Sequence, residues 1–292
     1  MAIRSTCAWL RRTLAVLCLG GLALFTAACQ GEATDVEGVP ILASDVPERL
    51  AQSRIFFAHQ SVGENIVDGL KSLQAQNQMS GLNLVPLAEA NLATGPAFIH
   101  ARLGSNGDPK SKTDAYEQAL DAGLGATLDL AFQKYCFADF DADTNVAAVF
   151  DYYKKASARI KLRYPNLTIV HVTAPLVTVQ SGPRAVVKKW IGRVPDYYLE
   201  NTVREQFNEM MRAEYGGTGH LFDLARLEAS APGHSPEPIL FRGRTLYSLR
   251  PEYTTDGGHL NSTTQRRVAA ELATFLAGFL PAHPASARTA TN

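Results

Sequence analysis

Between Arg54 and Leu280, short apolar runs alternate with segments of helical spacing, and this alternation constrains the fold more than any single motif. Arg54 to Ala58 has the length and content of a buried strand. Val62 to Gln76 then places Val62, Ile66, Leu70 and Leu73 on one helical face. Leu82–Leu87, Thr127–Phe132, the β-branched Leu167–Thr173 and His220–Leu224 read as further strands. Pro47–Ser53, Thr113–Ala122, Val146–Arg163, Leu199–Tyr215 and Ser262–Leu280 read as helices. Asn91–Lys112, rich in Gly, Asn, Asp and Pro, reads as a long loop; inside a compact domain that length signals either function or a missed element. Strands alternating with helices predict a mostly parallel sheet covered on both faces. Such sheets carry their sites at the carboxyl ends of the strands.

The N-terminus has the features of an export signal. Arg4, Arg11 and Arg12 precede an apolar stretch from Thr13 to Thr26, and Ala27-Ala28-Cys29 follows. That stretch falls short of the roughly 20 residues a membrane span needs. Cys29 resembles the lipidated cysteine of a bacterial lipobox, with a cleaved signal and an incidental cysteine as the alternative. Residues 1–28 are thus expected to be a lipoprotein-type signal, 29–45 a tether, 46–281 the folded domain and 282–292 a disordered tail. Once the leader is removed and Cys29 carries lipid, Cys136 alone remains, so no internal disulfide is expected. The chain has 28 basic and 28 acidic residues with no basic run, which argues against nucleic acid as a partner. The membrane is expected as a partner only through the lipid anchor.

Two distant segments carry the chemistry. Ser61 follows the first strand, with Gly63 beside it to permit a close turn. A strand-to-helix turn exposes a side chain at the sheet edge and aims backbone N–H groups at whatever that side chain attacks. The plainer assignment is a helix N-cap serine. Asp256 lies three residues before His259, a spacing that lets the carboxylate accept from Nδ1–H and leaves Nε2 free to take a serine proton. The plainer assignment there is a polar turn. The chain lacks His-Glu-x-x-His, paired Cys-x-x-Cys and a complete calcium loop, since Asp139-Phe140-Asp141-Ala142-Asp143 has neither the glycine nor the distal glutamate. Convergence of His59, Asp256 and His259 on a metal is the alternative considered. No metal and no organic cofactor is expected. His171 and Cys136 are expected to be core residues.

Taken together, these segments resemble the SGNH (GDSL-type) hydrolase superfamily. There, a nucleophilic serine follows the first strand and an Asp-x-x-His pair precedes the last helix. Thr168-Ile169-Val170-His171-Val172-Thr173-Ala174-Pro175 also resembles a later strand of that family. The resemblance covers roughly Arg54 to Leu280 and implies a three-layer α/β/α, flavodoxin-like sandwich. It also implies a serine esterase in which Ser61, His259 and Asp256 form a triad. His59-Gln60-Ser61 stands where the family has Gly-Asp-Ser. The family's oxyanion donors are a glycine and an asparagine. By residue type, Gly104-Ser105-Asn106-Gly107-Asp108 supplies them, so Ser61, Gly104 and Asn106 are the expected oxyanion hole, with Gly95 as the alternative glycine. By position, the asparagine belongs after the third strand, where Lys134 to Asp139 contains none. His59, Gln60, Lys134 and Asp139 are expected to line the pocket.

The resulting expectation is an extracytoplasmic esterase acting on an acyl ester, with a carbohydrate O-acetyl ester as the narrower expectation. The protein would be held in a bacterial envelope, at the outer membrane facing the periplasm, or secreted if Cys29 carries no lipid. An O-acyltransferase using the same triad, and a non-catalytic glycan-binding lipoprotein on the same fold, are the alternatives.

Overall fold

A computed structural model describes residues 41–90 and 95–282, all within one unit of the chain, Glu37–Asn292. The leader, Cys29 and nearly all of the expected tail lie outside the described residues.

Six parallel strands form the central sheet: β1 (Arg54–His59), β2 (Leu84–Pro86), β3 (Ala97–Arg102), β4 (Leu130–Gln133), β5 (Thr168–Val172) and β6 (Leu221–Phe222). Their order is β2-β3-β1-β4-β5-β6. Without the short edge strand β2, this is the doubly wound flavodoxin-like order. The helices are α1 (Val46–Ala51), α2 (Ser61–Ala75), α3 (Pro109–Ala119), α4 (Val146–Arg163), α5 (Gly182–Trp190), α6 (Tyr198–Tyr215), α7 (Leu224–Ala229) and α8 (Ser262–Ala277). A separate antiparallel hairpin joins β7 (Ile239–Phe241) to β8 (Arg244–Leu246). No helix among the described residues is long and apolar enough to cross a membrane.

Side-chain alternation along the strands builds the three layers. Ile55, Phe57, Phe98 and Phe132 share a buried cluster with residues of α1, α2, α7 and α8. The intervening Phe56, Ala58, Ile99 and Ala131 pack with Tyr116 of α3, with Leu120 just past its end, and with Ile160 of α4, on the other face. A third cluster joins α4 and α6 through Phe150, Tyr153 and Phe207. The α2 and α8 backbones approach closely: a Cβ at Gly69 would stand 2.2 Å from the Gln265 carbonyl oxygen.

The sheet corrects one expectation directly. Asn91–Lys112 is not a single long loop, because Ala97–Arg102 is the strand beside β1, in the register Arg54↔Ala97 through His59↔Arg102. The strand expected third in the chain is therefore the fourth. α5, α7 and the β7–β8 hairpin likewise have no counterpart among the expected elements.

Candidate active site

β1 lies between β3 and β4, so the chain leaves its carboxyl end at the point where the winding direction of the sheet reverses. In doubly wound sheets a crevice opens there. Ser61 occupies that point as the first residue of α2, with Gln60 as N-cap in an extended conformation. The N-cap assignment for Ser61 does not hold: no side chain caps this helix, and the Ser61 hydroxyl makes no hydrogen bond among the described residues. Backbone N–H groups at a first helical turn have no intrahelical partner and can face a ligand.

Gly63 has a reason different from the expected turn. Its φ is not in the left-handed region, but a Cβ there would meet the His59 Cβ at 2.2 Å. His59 thus tucks beneath the first turn of α2 only because residue 63 lacks a side chain.

The base-side loop forms at the start of α8. His259 Nδ1 and Asp256 Oδ2 are 2.6 Å apart. Asp256 Oδ1 accepts from the backbone N–H groups of Gly258 (2.9 Å) and His259 (2.8 Å). These N–H groups hold the Asp256 carboxyl well below the usual carboxylate range, so it is ionised and can only accept from Nδ1–H. Phe137, after β4, meets the His259 ring edge to face at 5.5 Å between centroids. Asn65, which carried no expectation, accepts the Leu260 N–H through its Oδ1 at 3.0 Å. Being one turn beyond Ser61, Asn65 fastens the histidine loop to the helix that carries the serine. The structure records no hydrogen bond between Ser61 Oγ and His259 Nε2; unliganded catalytic contacts are commonly long and tighten with substrate.

On the other side, the Gln60 amide donates to the carbonyls of Leu103 (2.8 Å) and Gly104 (2.9 Å). It thereby draws the Gly104–Asp108 turn to the residue before Ser61. Gly104 has φ of +68°, and a Cβ there would meet the Lys112 backbone at 2.6 Å. Asn106 Oδ1 accepts from Lys112 Nζ at 3.0 Å, which leaves its amide N–H2 without a partner among the described residues. Gly95 is excluded as a donor to this site. Its carbonyl accepts from Arg54, at the start of β1 and hence the opposite end of the strand from Ser61.

The four residues expected to line the pocket are all buried, with their polar atoms engaged inside the molecule. Asp139 takes both oxygens to Lys112 Nζ at 2.6 Å and also accepts from the N–H groups of Gly107 and Cys136. It braces the asparagine turn from beneath. Lys134 donates to the Tyr135 carbonyl, and burial pulls its ammonium down to about 8. Gln60 bridges as described. His59 Nδ1 faces the Gln60 carbonyl at 3.0 Å and Nε2 faces His100 Nδ1 at 3.2 Å; burial lowers its pKa to about 3. His59 does not meet Asp256 and His259, which pair with each other. Glu64 instead completes a group with His59 and His100. His171 is buried against Tyr153 and Tyr215, and Cys136 is buried, as expected.

No protein-family model matches the chain, and no curated protein matches it. Several solved structures are similar in arrangement. One is a Streptococcus pneumonia chain provisionally described as a platelet activating factor, at 16% identity and TM-score 0.45, covering 79% of this chain and 91% of that one. Another is the periplasmic domain of a Salmonella ser. Paratyphi A lipopolysaccharide acetyltransferase, at 10% identity and TM-score 0.45, covering 77% and 84%. A third, from Desulfitobacterium hafniense DCB-2, is provisionally described as a lipolytic protein of the G-D-S-L family; it has 8% identity and TM-score 0.42, covering 78% and 99%. These likenesses are loose and concern the arrangement of elements alone. The sequence resemblance has its counterpart in the chain's own fold: an α/β/α sandwich with Ser61 after the central strand and Asp256/His259 before the last helix.

Proposed function

We propose that this protein is a serine-dependent acyl-transfer enzyme, an esterase, with Ser61 as nucleophile, His259 as base and Asp256 as the group that orients the base. The observation carrying this reading is the Asp256–His259 pair, tied through Asn65 to the helix whose first residue is an unbonded serine at the switch point. Ser61 Oγ attacks the ester carbonyl while its proton passes to His259 Nε2. The N–H of Ser61, the N–H of Gly104 and the Asn106 amide stabilise the oxyanion. The carbonyl–alkoxide bond then breaks as His259 returns the proton to the leaving oxygen. Water attacks the acyl-Ser61 bond by the same route in reverse, releasing the acid. No metal or organic cofactor enters these steps.

The substrate class is a small acyl ester, with an O-acetylated envelope glycan as the natural candidate for a protein anchored outside the cytoplasm through Cys29. Transfer stands beside hydrolysis for one reason: the His259 side chain is 39% exposed, so a sugar hydroxyl can approach the acyl-enzyme as water does.

Turnover of p-nitrophenyl acetate and acetylated xylan or peptidoglycan by wild type and Ser61→Ala tests the chemistry. Loss of turnover in Ser61→Ala is expected. Turnover that survives the substitution would overturn the triad. Saturable glycan binding without turnover by wild type would make the protein a binding module instead. For the anchor, Cys29→Ser is expected to abolish palmitate labelling and release the protein from membranes; unchanged attachment contradicts it.

A further inference from the structure

His59, Glu64 and His100 come from three separate places: the end of β1, the first turn of α2, and β3. One ligand atom from each lies within 4.8 Å of the others. His59 Nδ1 faces a carbonyl oxygen that can only accept, the Gln60 oxygen at 3.0 Å, so Nδ1 carries the proton and Nε2 presents its lone pair. A carbonyl that accepts from the other ring N–H is how proteins fix a ligating imidazole. The lone pair points to His100 Nδ1 at 3.2 Å. Metal–nitrogen bonds of about 2.0–2.1 Å at the tetrahedral angle place two ligating nitrogens about 3.3 Å apart, so these two need move little to share an ion.

Three further features fit a built site. The missing Cβ at Gly63 is what admits His59 beneath the helix. The Glu64 side chain is 32% exposed, which gives an ion an entry route that two buried imidazoles alone would not. Its nearest cation, Lys71, is 3.8 Å away, is itself half-exposed and already bonds Asp68 at 3.2 Å, so it can yield to an ion. Burial lowers the pKa of both imidazoles, although Glu64 and Asp68 act in the opposite direction on His100. Ligating histidines must be neutral.

We propose that His59 Nε2, His100 Nδ1 and a Glu64 carboxylate oxygen bind a divalent transition-metal ion of the zinc class, using two nitrogens and one oxygen of the protein and leaving a position for water. The imidazole pair selects against magnesium and calcium, which take oxygen ligands. On binding, His100 carries its proton on Nε2 and no net proton is released. The ion clamps β1, β3 and the first turn of α2 around residues 60–63, and so fixes the backbone of Ser61 without touching the triad. The site stands whether or not Ser61 is a nucleophile.

The test titrates chelator-treated protein with Co2+ and then Zn2+, followed by visible absorption, calorimetry and thermal unfolding. One equivalent of Co2+ with tetrahedral d–d bands, displacement by Zn2+, and a Tm that rises with free zinc are expected. Glu64→Gln is expected to weaken binding about 10-fold or more, and His100→Ala to abolish it. Because His100 is buried, its variant is checked for folding by circular dichroism; Glu64→Gln, at a partly exposed position, decides the matter where that variant does not fold. Absence of stoichiometric binding overturns the proposal, as does binding that Glu64→Gln leaves unchanged. The His59–His100 contact is then an ordinary buried hydrogen bond.

Discussion

The two loops flanking Ser61 are built in opposite ways. The Thr254–Asn261 loop is largely self-contained: Asp256 bonds residues two and three positions ahead, both side chains of the Asp–His pair are exposed, and two long-range bonds fasten it, Leu260 N–H to Asn65 Oδ1 and Thr178 N–H to the Gly257 carbonyl. The Gly104–Asp108 turn is exposed at its tip but braced from beneath by Gln60 and by the Lys112–Asp139 ion pair, whose side chains are 4% and 0% exposed. A proton carrier benefits from access to solvent and acceptor. An oxyanion donor must be in place before the charge develops, and buried long-range bonds supply that rigidity.

Substitutions on each side sharpen the contrast. Ser61→Ala serves both loops and has the largest expected effect, a loss of turnover on the order of 10^4-fold or more. Asp256→Asn is expected to lower turnover about 10^3- to 10^4-fold, because the imidazole tautomer is lost, while the urea midpoint falls only slightly, since the exposed amide keeps an oxygen for the Gly258 and His259 N–H groups. Lys112→Met is expected to do the reverse in stability: an unpaired buried carboxylate at Asp139 costs about 3–5 kcal/mol, read as a lower unfolding midpoint. If Asp256→Asn destabilised the fold as much as Lys112→Met, the contrast between the loops would collapse. Asn106→Ala is expected to cost about 100-fold in turnover with little change in KM. Asn65→Ala is expected to cost about 1–3 kcal/mol by stranding the buried Leu260 N–H.

Acid should lower stability through the buried histidines. His59 and His171 have folded pKa values lowered by burial to about 3, against 6.5 in the unfolded chain. Between those values the unfolded state binds more protons than the folded one. Stability is therefore expected to be full above pH 6.5 and to fall as pH drops toward 3. Urea unfolding across that range measures it, and His171→Gln is expected to flatten the slope.

What the sequence displayed, and what it hid, follows from how local each signal is. Val146–Arg163 was legible because one apolar face defines it and Pro165 lies just past its end. The triad candidates were legible because strand-end serine and Asp-x-x-His are short-range patterns. β3 was hidden: Ala97–Arg102 sits between Gly95-Pro96 and a glycine-rich turn, and its His100 and Arg102 dilute the apolar run. With β3 unrecognised, the Gly104–Asn106 turn could not be placed at the end of the strand beside Ser61, and Gly95 remained a rival. The burial of Lys134 and Asp139 was likewise invisible, since Asp139 depends on Lys112 across 27 positions. His59 and His100 meet only because β1 and β3 pair in one particular register.

The central claim is that Ser61 is an activated nucleophile. Treating the intact protein with a fluorophosphonate and locating the adduct by peptide mass spectrometry tests it without knowledge of the natural substrate. A single adduct on Ser61 is expected, absent in Ser61→Ala and formed far more slowly in His259→Ala. A folded protein that remains unlabelled, or carries its label elsewhere, would contradict the account.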